Sequence, residues 1–202
     1  MVSTTNGAGL SGSPSYNYNG VATLATPVVS SVSPTSGPAA GGNTVSIFGS
    51  GFTNATAVAF GSLAATSFTV VLASLITAVA PQGPSGGGSV SVHVTGPGGT
   101  STSGPTYTYI AAPVVSSVNP TSGPAAGGNT VSIIGSGFTN ATAVAFGSVA
   151  ATSFTVVSAT LITAVAPPGP SGGSSVSVRV TGPGGTSTSG PTYTYIAAPV
   201  VS

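Results

Sequence analysis

One imidazole, His93, and one guanidinium, Arg179, are the whole ionisable endowment of this sequence beyond tyrosine and the chain ends. It contains no Asp, Glu, Lys or Cys. General acid–base catalysis needs a side chain that titrates near working pH, and His93 is the single candidate. A serine nucleophile needs a base and an orienting carboxylate, and no carboxylate exists to supply the second. Calcium and magnesium sites want Asp or Glu oxygens, and zinc sites draw on Cys, His or carboxylates. The sequence therefore offers no catalytic residue, no metal site and no cofactor site. Phosphate recognition fails for the same reason, because one arginine neutralises too few charges to hold a nucleic acid. The glycine clusters lack the Gly-Lys-Ser/Thr ending of a phosphate loop. The remaining polar candidates are hydroxyls and amides. Asn54-Ala55-Thr56 and Asn140-Ala141-Thr142 fit the N-glycosylation triplet, which we read as coincidental without a secretory signal. Tyrosines recur in pairs two residues apart: Tyr16/Tyr18, Tyr107/Tyr109 and Tyr193/Tyr195. Two-residue spacing puts both rings of a pair on one face of a strand. Cross-strand packing is the first role this implies, and an assembly contact surface is the second.

His93 lies in Val90-Ser91-Val92-His93-Val94, where strand alternation turns the valines inward and the imidazole outward. The element that carries it recurs. Shifting the sequence by 86 residues lays 27–112 on 113–198 without a gap, with eight differences. These are Ser33/Asn119, Phe48/Ile134, Leu63/Val149, Leu72/Ser158, Ser74/Thr160, Gln82/Pro168, Gly88/Ser174 and His93/Arg179. Arg179 thus replaces His93, which suits a solvated position with no catalytic duty. A period this long exceeds a solenoid unit and fits a whole β-sandwich domain. The expected organisation is an N-terminal extension over 1–26, repeats at 27–112 and 113–198, and a stub at 199–202. Ser11–Tyr18 (SGSPSYNY) looks like the closing SGPTYTY segment of a repeat, and the stub PVVS looks like a repeat opening.

Within the first repeat, β-branched or alternating runs predict strands at Val28–Val32, Asn43–Phe48, Ala57–Phe60, Ser67–Val71, Leu75–Ala80, Ser89–Thr95 and Thr106–Tyr109. Between them, SPTSGPAAGG, GSG, PQGPSGGG and TGPGGTSTSGP read as turns. No window shows helical periodicity, so the fold class is all-β. The core should be built of Val, Ile, Leu and Phe with Ala filling gaps. Only Ile110–Ala112 follow the closing strand before the second repeat, and Pro113 fixes one dihedral, so a semi-rigid tandem is expected. No apolar run is long enough to span a membrane, and Met1–Thr26 has no secretory-signal pattern.

These same stretches carry a resemblance. PVVSSVSPTSGPAAGGNTVSIFGSGFTNATAVAFGSLAATSFTVV, then LITAVAP and SVSVHVTGPGGTS, resemble an IPT/TIG domain, end to end in both repeats. The resemblance implies two tandem immunoglobulin-like β-sandwiches that serve as spacer or binding modules, with no catalytic residues to carry over. Relatives that grip DNA do so through basic surfaces, which this chain lacks.

Two functions remain open. With a formal net charge of only +1, little electrostatic repulsion keeps copies apart. Near-identical neighbours can also exchange strands. The first expectation is therefore a self-assembling structural subunit of an extracellular filament, surface layer or virion decoration, partnered by copies of itself. Its termini, including Ser13–Tyr18, would add to sheet edges. The alternative is a monomeric adhesion or spacer module that binds a surface glycan or protein. Either reading places the chain extracellularly or on a surface.

Overall fold

The computed structural model describes residues 15–16 and 22–199. A short antiparallel pairing comes first, with β1 (Ser15–Tyr16) against β2 (Ala22–Thr23). The first repeat then contributes β3 (Val28–Ser33), β4 (Ser36–Pro38), β5 (Thr44–Ser50), β6 (Ala57–Phe60) and β7 (Leu63–Ala64). It continues with β8 (Ser67–Leu72), β9 (Leu75–Val79), β10 (Gly88–Gly96), β11 (Gly99–Thr100) and β12 (Thr106–Ile110). One sheet has the order β3-β5-β9-β8. The other runs β4-β12-β10-β6-β7, with β11 folded back onto β10.

The second repeat repeats the plan with β13 (Val114–Asn119), β14 (Ser122–Pro124), β15 (Thr130–Ser136), β16 (Ala143–Phe146) and β17 (Val149–Ala150). It closes with β18 (Ser153–Ser158), β19 (Leu161–Val165), β20 (Ser174–Gly182), β21 (Gly185–Thr186) and β22 (Thr192–Ile196). Its sheets are β13-β15-β19-β18 and β14-β22-β20-β16-β17, with β21 on β20. The described residues hold no helix, and both domains are all-β sandwiches.

Alternation decides what each strand buries. In β5, Val45 and Ile47 are buried while Thr44 and Phe48 face out. In β10, Val92 and Val94 are buried and His93, between them, is only half-buried. Each domain buries fifteen apolar side chains, and the two sets are identical residue for residue. All eight sequence differences fall outside this set. Fully burying one Val, Ile or Phe stabilises by about 1.5–3 kcal/mol. The two domains therefore have the same hydrophobic driving force and differ only in their skins.

The predicted strands are all present, with ends moved by a residue or two. Three short strands were not anticipated: β4 and β11 lie in segments that read as turns, and β7 lies in a stretch assigned no element. The sequence SPTSGPAAGG hides β4 because Gly37 is needed for contact, not for a turn. A Cβ on Gly37 would collide with the Tyr107 hydroxyl and the Asn43 side chain, so only glycine brings this backbone beside the closing strand. The core also departs from expectation. Among the described residues no leucine is fully buried, whereas Tyr107, Tyr109 and Tyr193 are the largest that are. Their rings meet edge to face, Phe60–Tyr107 at 5.2 Å and Tyr107–Tyr109 at 5.1 Å between centroids. The favourable quadrupole geometry of such pairs adds to their area burial.

Candidate functional site

In the first domain a base and a hydroxyl do meet. His93 Nδ1 lies 3.0 Å from the Ser101 carbonyl oxygen and 3.2 Å from Ser101 Oγ. A carbonyl oxygen only accepts, so Nδ1 carries the proton and cannot take one from Ser101. Ser101 is buried, and its Oγ accepts a bond from the Val94 amide at 3.2 Å. No carboxylate exists to orient the ring. The contact anchors β10 to the segment after β11. Arg179, at the matching place, is exposed, while Ser187 keeps the bond to the Val180 amide at 3.2 Å. The serine therefore holds this corner without the imidazole.

The structure puts four of the six singled-out tyrosines in the cores. Tyr107, Tyr109, Tyr193 and Tyr195 are each at most 3% exposed, so none offers its ring to a partner's surface. This corrects their reading as assembly contacts, because the inward face of the closing strand is the one they occupy. Tyr16 lies on β1 and Tyr18 falls outside the described residues, as does most of Ser13–Tyr18. Within the buried pairs the hydroxyls differ. Asn43 Nδ2 donates to the Tyr107 hydroxyl at 2.8 Å, and the Tyr193 hydroxyl donates to Asn129 Oδ1 at 2.9 Å. The Tyr109 and Tyr195 hydroxyls are buried without a protein partner. Burial raises the pKa of Tyr107, Tyr109 and Tyr195 above the usual phenol value. A neighbouring tyrosine adds to the effect at Tyr109 and Tyr195.

Three surface features remain. On the outer face of the β3-β5-β9-β8 sheet, Phe48 pairs with Leu75, and Leu75 pairs with Leu72. Phe48 and Leu72 are exposed, so an apolar row ends a face that also carries Thr44, Ser46, Thr69, Thr77 and half-buried Val79. The second domain has Ile134, Leu161 and Ser158 in the same register. The second feature is a cleft of about 220 Å³ in the second domain, bounded by Phe146, Val149, Val176, Pro168, Pro170 and Tyr195. A larger hollow of about 670 Å³, bounded by Pro124, Ala126, Ile196 and Pro199, adjoins the end of the described chain.

Asn54 and Asn140 sit at exposed turn tips with φ of 60° and 59°. Asparagine tolerates this left-handed backbone better than other side chains, which accounts for its presence there.

The IPT/TIG domain family matches twice, over residues 27–109 and 113–195. The chain belongs to this family. Comparison with curated proteins finds no match. Among solved structures, the full extracellular region of plexin A4 aligns with TM-score 0.47 and 20% identity over 87% of this chain and 18% of that one. SGBP-B, from a complex xyloglucan utilization locus in Bacteroides uniformis, gives TM-score 0.36 and 22% identity, covering 84% of this chain and 49% of that one. InvD of Yersinia pseudotuberculosis gives 0.30 and 17%, covering 87% and 57%. This chain spans less than two thirds of each, and these likenesses reach no further than the fold. The cleft and the Phe48 row of these IPT/TIG domains were not anticipated from sequence. A signal for both was present, because Phe48, Leu72, Leu63 and Gln82 are among the eight positions where the repeats differ.

Proposed function

We propose that this chain is a non-catalytic binding and spacer segment of a surface-exposed protein, contacting a neutral glycan or a protein through the outer faces of its IPT/TIG domains. The observation that carries this reading is the distribution of change between the domains. Every fully buried apolar residue is shared, and every difference lies at an exposed or, at His93, a half-buried position. A spacer whose surface had no task would give no reason for an aromatic and a leucine to stand exposed on one row of one domain. With no acidic residue and one arginine, recognition must rest on apolar contact and hydroxyl hydrogen bonds, so it should survive salt. The test is binding of the full chain to arrayed neutral glycans and surface proteins at 50 mM and 500 mM salt. Retained binding at both supports the reading, and absence of any binding overturns it.

A second reading, self-assembly into a structural array, is favoured by the exposed Phe48, Val71 and Leu72 on a chain whose net charge of +1 does little to separate copies. Light scattering at high concentration separates the two. A monodisperse monomer supports the binding module, and large polymers support the structural subunit.

A further inference from the structure

In each sandwich one sheet edge is left unguarded. The β4 edge is three residues long and contains Pro38, and β7 and β11 are two residues each. The β3 edge follows Pro27, stops before Pro34 and is broken by a bulge between Val29 and Ser31. Short edges, prolines and bulges all discourage a foreign strand from pairing. The remaining edge, β8 (Ser67–Leu72), is bulged only past Val70 and holds no proline, glycine or charge. Among the described residues it pairs with β9 alone, so its far side presents unpaired N–H and C=O groups. The core is open there too. Phe68 and Val70 lie opposite buried Ala78 and Ile76 on the inward face, yet both are only half-buried. The second domain repeats this edge as β18, with Ser153–Val157 identical to Ser67–Val71.

We infer that this edge pairs antiparallel with the same edge of a second copy of the chain. A row of free backbone donors and acceptors is matched by an extended strand. The strand's own sequence completes the match. With pairing centred on Thr69, Phe68 of one copy stands opposite Val70 of the other, both on the inward face. Each then covers the rim that the other leaves open. Thr69 meets Thr69 of the second copy on the outer face, where facing threonines pair favourably. Ser67–Leu72 is also an uncharged six-residue run rich in β-branched and aromatic residues, the composition of segments that stack on themselves. A net charge of +1 opposes this little. Each chain carries the edge twice, so association can continue past a dimer. This contact goes beyond the binding function proposed above, which uses outer faces and not edges.

The test is sedimentation velocity of the full chain at rising concentration, with amide hydrogen exchange on the same samples. The parent should associate, and exchange at the outward amides of 67–70 and 153–156 should slow as it does. Thr69 and Thr155 are exposed, so T69K/T155K should keep the parent melting temperature. It sets like charges opposite each other and should weaken association by about fivefold or more, the scale of one cross-strand pair. Mixing T69K/T155K with T69E/T155E should restore association that neither shows alone. A parent that stays monomeric at millimolar concentration would overturn the inference. So would association undiminished in T69K/T155K, or lost in F48S/I134S while the edge amides exchange freely. Each of these failures leaves the glycan and protein binding test untouched.

Discussion

Two tyrosines on one strand should respond oppositely to loss of a single oxygen atom. Tyr107 and Tyr193 share their hydroxyls with Asn43 and Asn129, whereas the Tyr109 and Tyr195 hydroxyls are buried unpartnered. All four rings are at most 3% exposed and keep their packing when replaced by phenylalanine. Substituting Tyr107→Phe and Tyr193→Phe together treats both domains alike and keeps the unfolding transition single. The first domain loses the bonds of the Tyr107 hydroxyl to Asn43 Nδ2 and Oδ1, and the second loses the bond of Tyr193 to Asn129 Oδ1. Each leaves an asparagine side chain poorly paired, at a cost of about 1–3 kcal/mol. For a domain of this size that lowers Tm by roughly 5–15 °C. Substituting Tyr109→Phe and Tyr195→Phe removes a hydroxyl that was dehydrated on folding and received nothing in return. Stability should then be unchanged or rise by up to about 1 kcal/mol. Scanning calorimetry of the two double variants beside the parent measures both. An equal fall of Tm in the two would refute the reasoning, because it would mean that the second hydroxyl is as well paired as the first.

Further outcomes follow from the same structure. Without carboxylate side chains, Tm should stay level from about pH 4 to pH 9, since no acidic side chain changes protonation on folding. Above about pH 10 the unfolded chain ionises its tyrosines while buried Tyr107, Tyr109 and Tyr195 resist, so stability is present below that pH and lost as pH rises. An acid unfolding step between pH 3 and 5 would contradict this. Gly83→Ala with Gly169→Ala should destabilise by about 1–3 kcal/mol in urea titration, because the added methyl overlaps the Tyr109 and Tyr195 rings. His93→Arg, which writes the second domain's residue into the first, should change stability by no more than about 0.5 kcal/mol. A larger loss would show that the contact with Ser101 carries weight of its own.

Much of the architecture could be read from the residues. Val45 and Ile47 alternate with Thr44 and Ser46, and Val92 and Val94 flank His93, so the inward faces were legible without a structure. The outward placement of His93, and of Arg179 after it, followed from the same two-residue period. The tyrosine pairs were placed on one face, and packing was the first role expected of them. Their depth was not legible. Alternation says that Tyr107 and Tyr109 share a face, but only the neighbours of that face, Phe60 and the Gly83 backbone, decide that it is the interior. The strand β4 escaped because Ser36-Gly37-Pro38 has turn composition. What makes it a strand is contact with a segment some seventy residues later.

Composition by itself settled that there are no carboxylates for catalysis and no cationic surface for phosphates, because that depends on which atoms exist and not on where they lie. The repeat was fixed in the same way, by counting. Tertiary structure alone decided which tyrosine hydroxyl meets an asparagine and which meets nothing, and that Val149 and Pro168 border one hollow. Those are matters of distance between residues far apart in the chain, and distance is set only when two sheets close face to face.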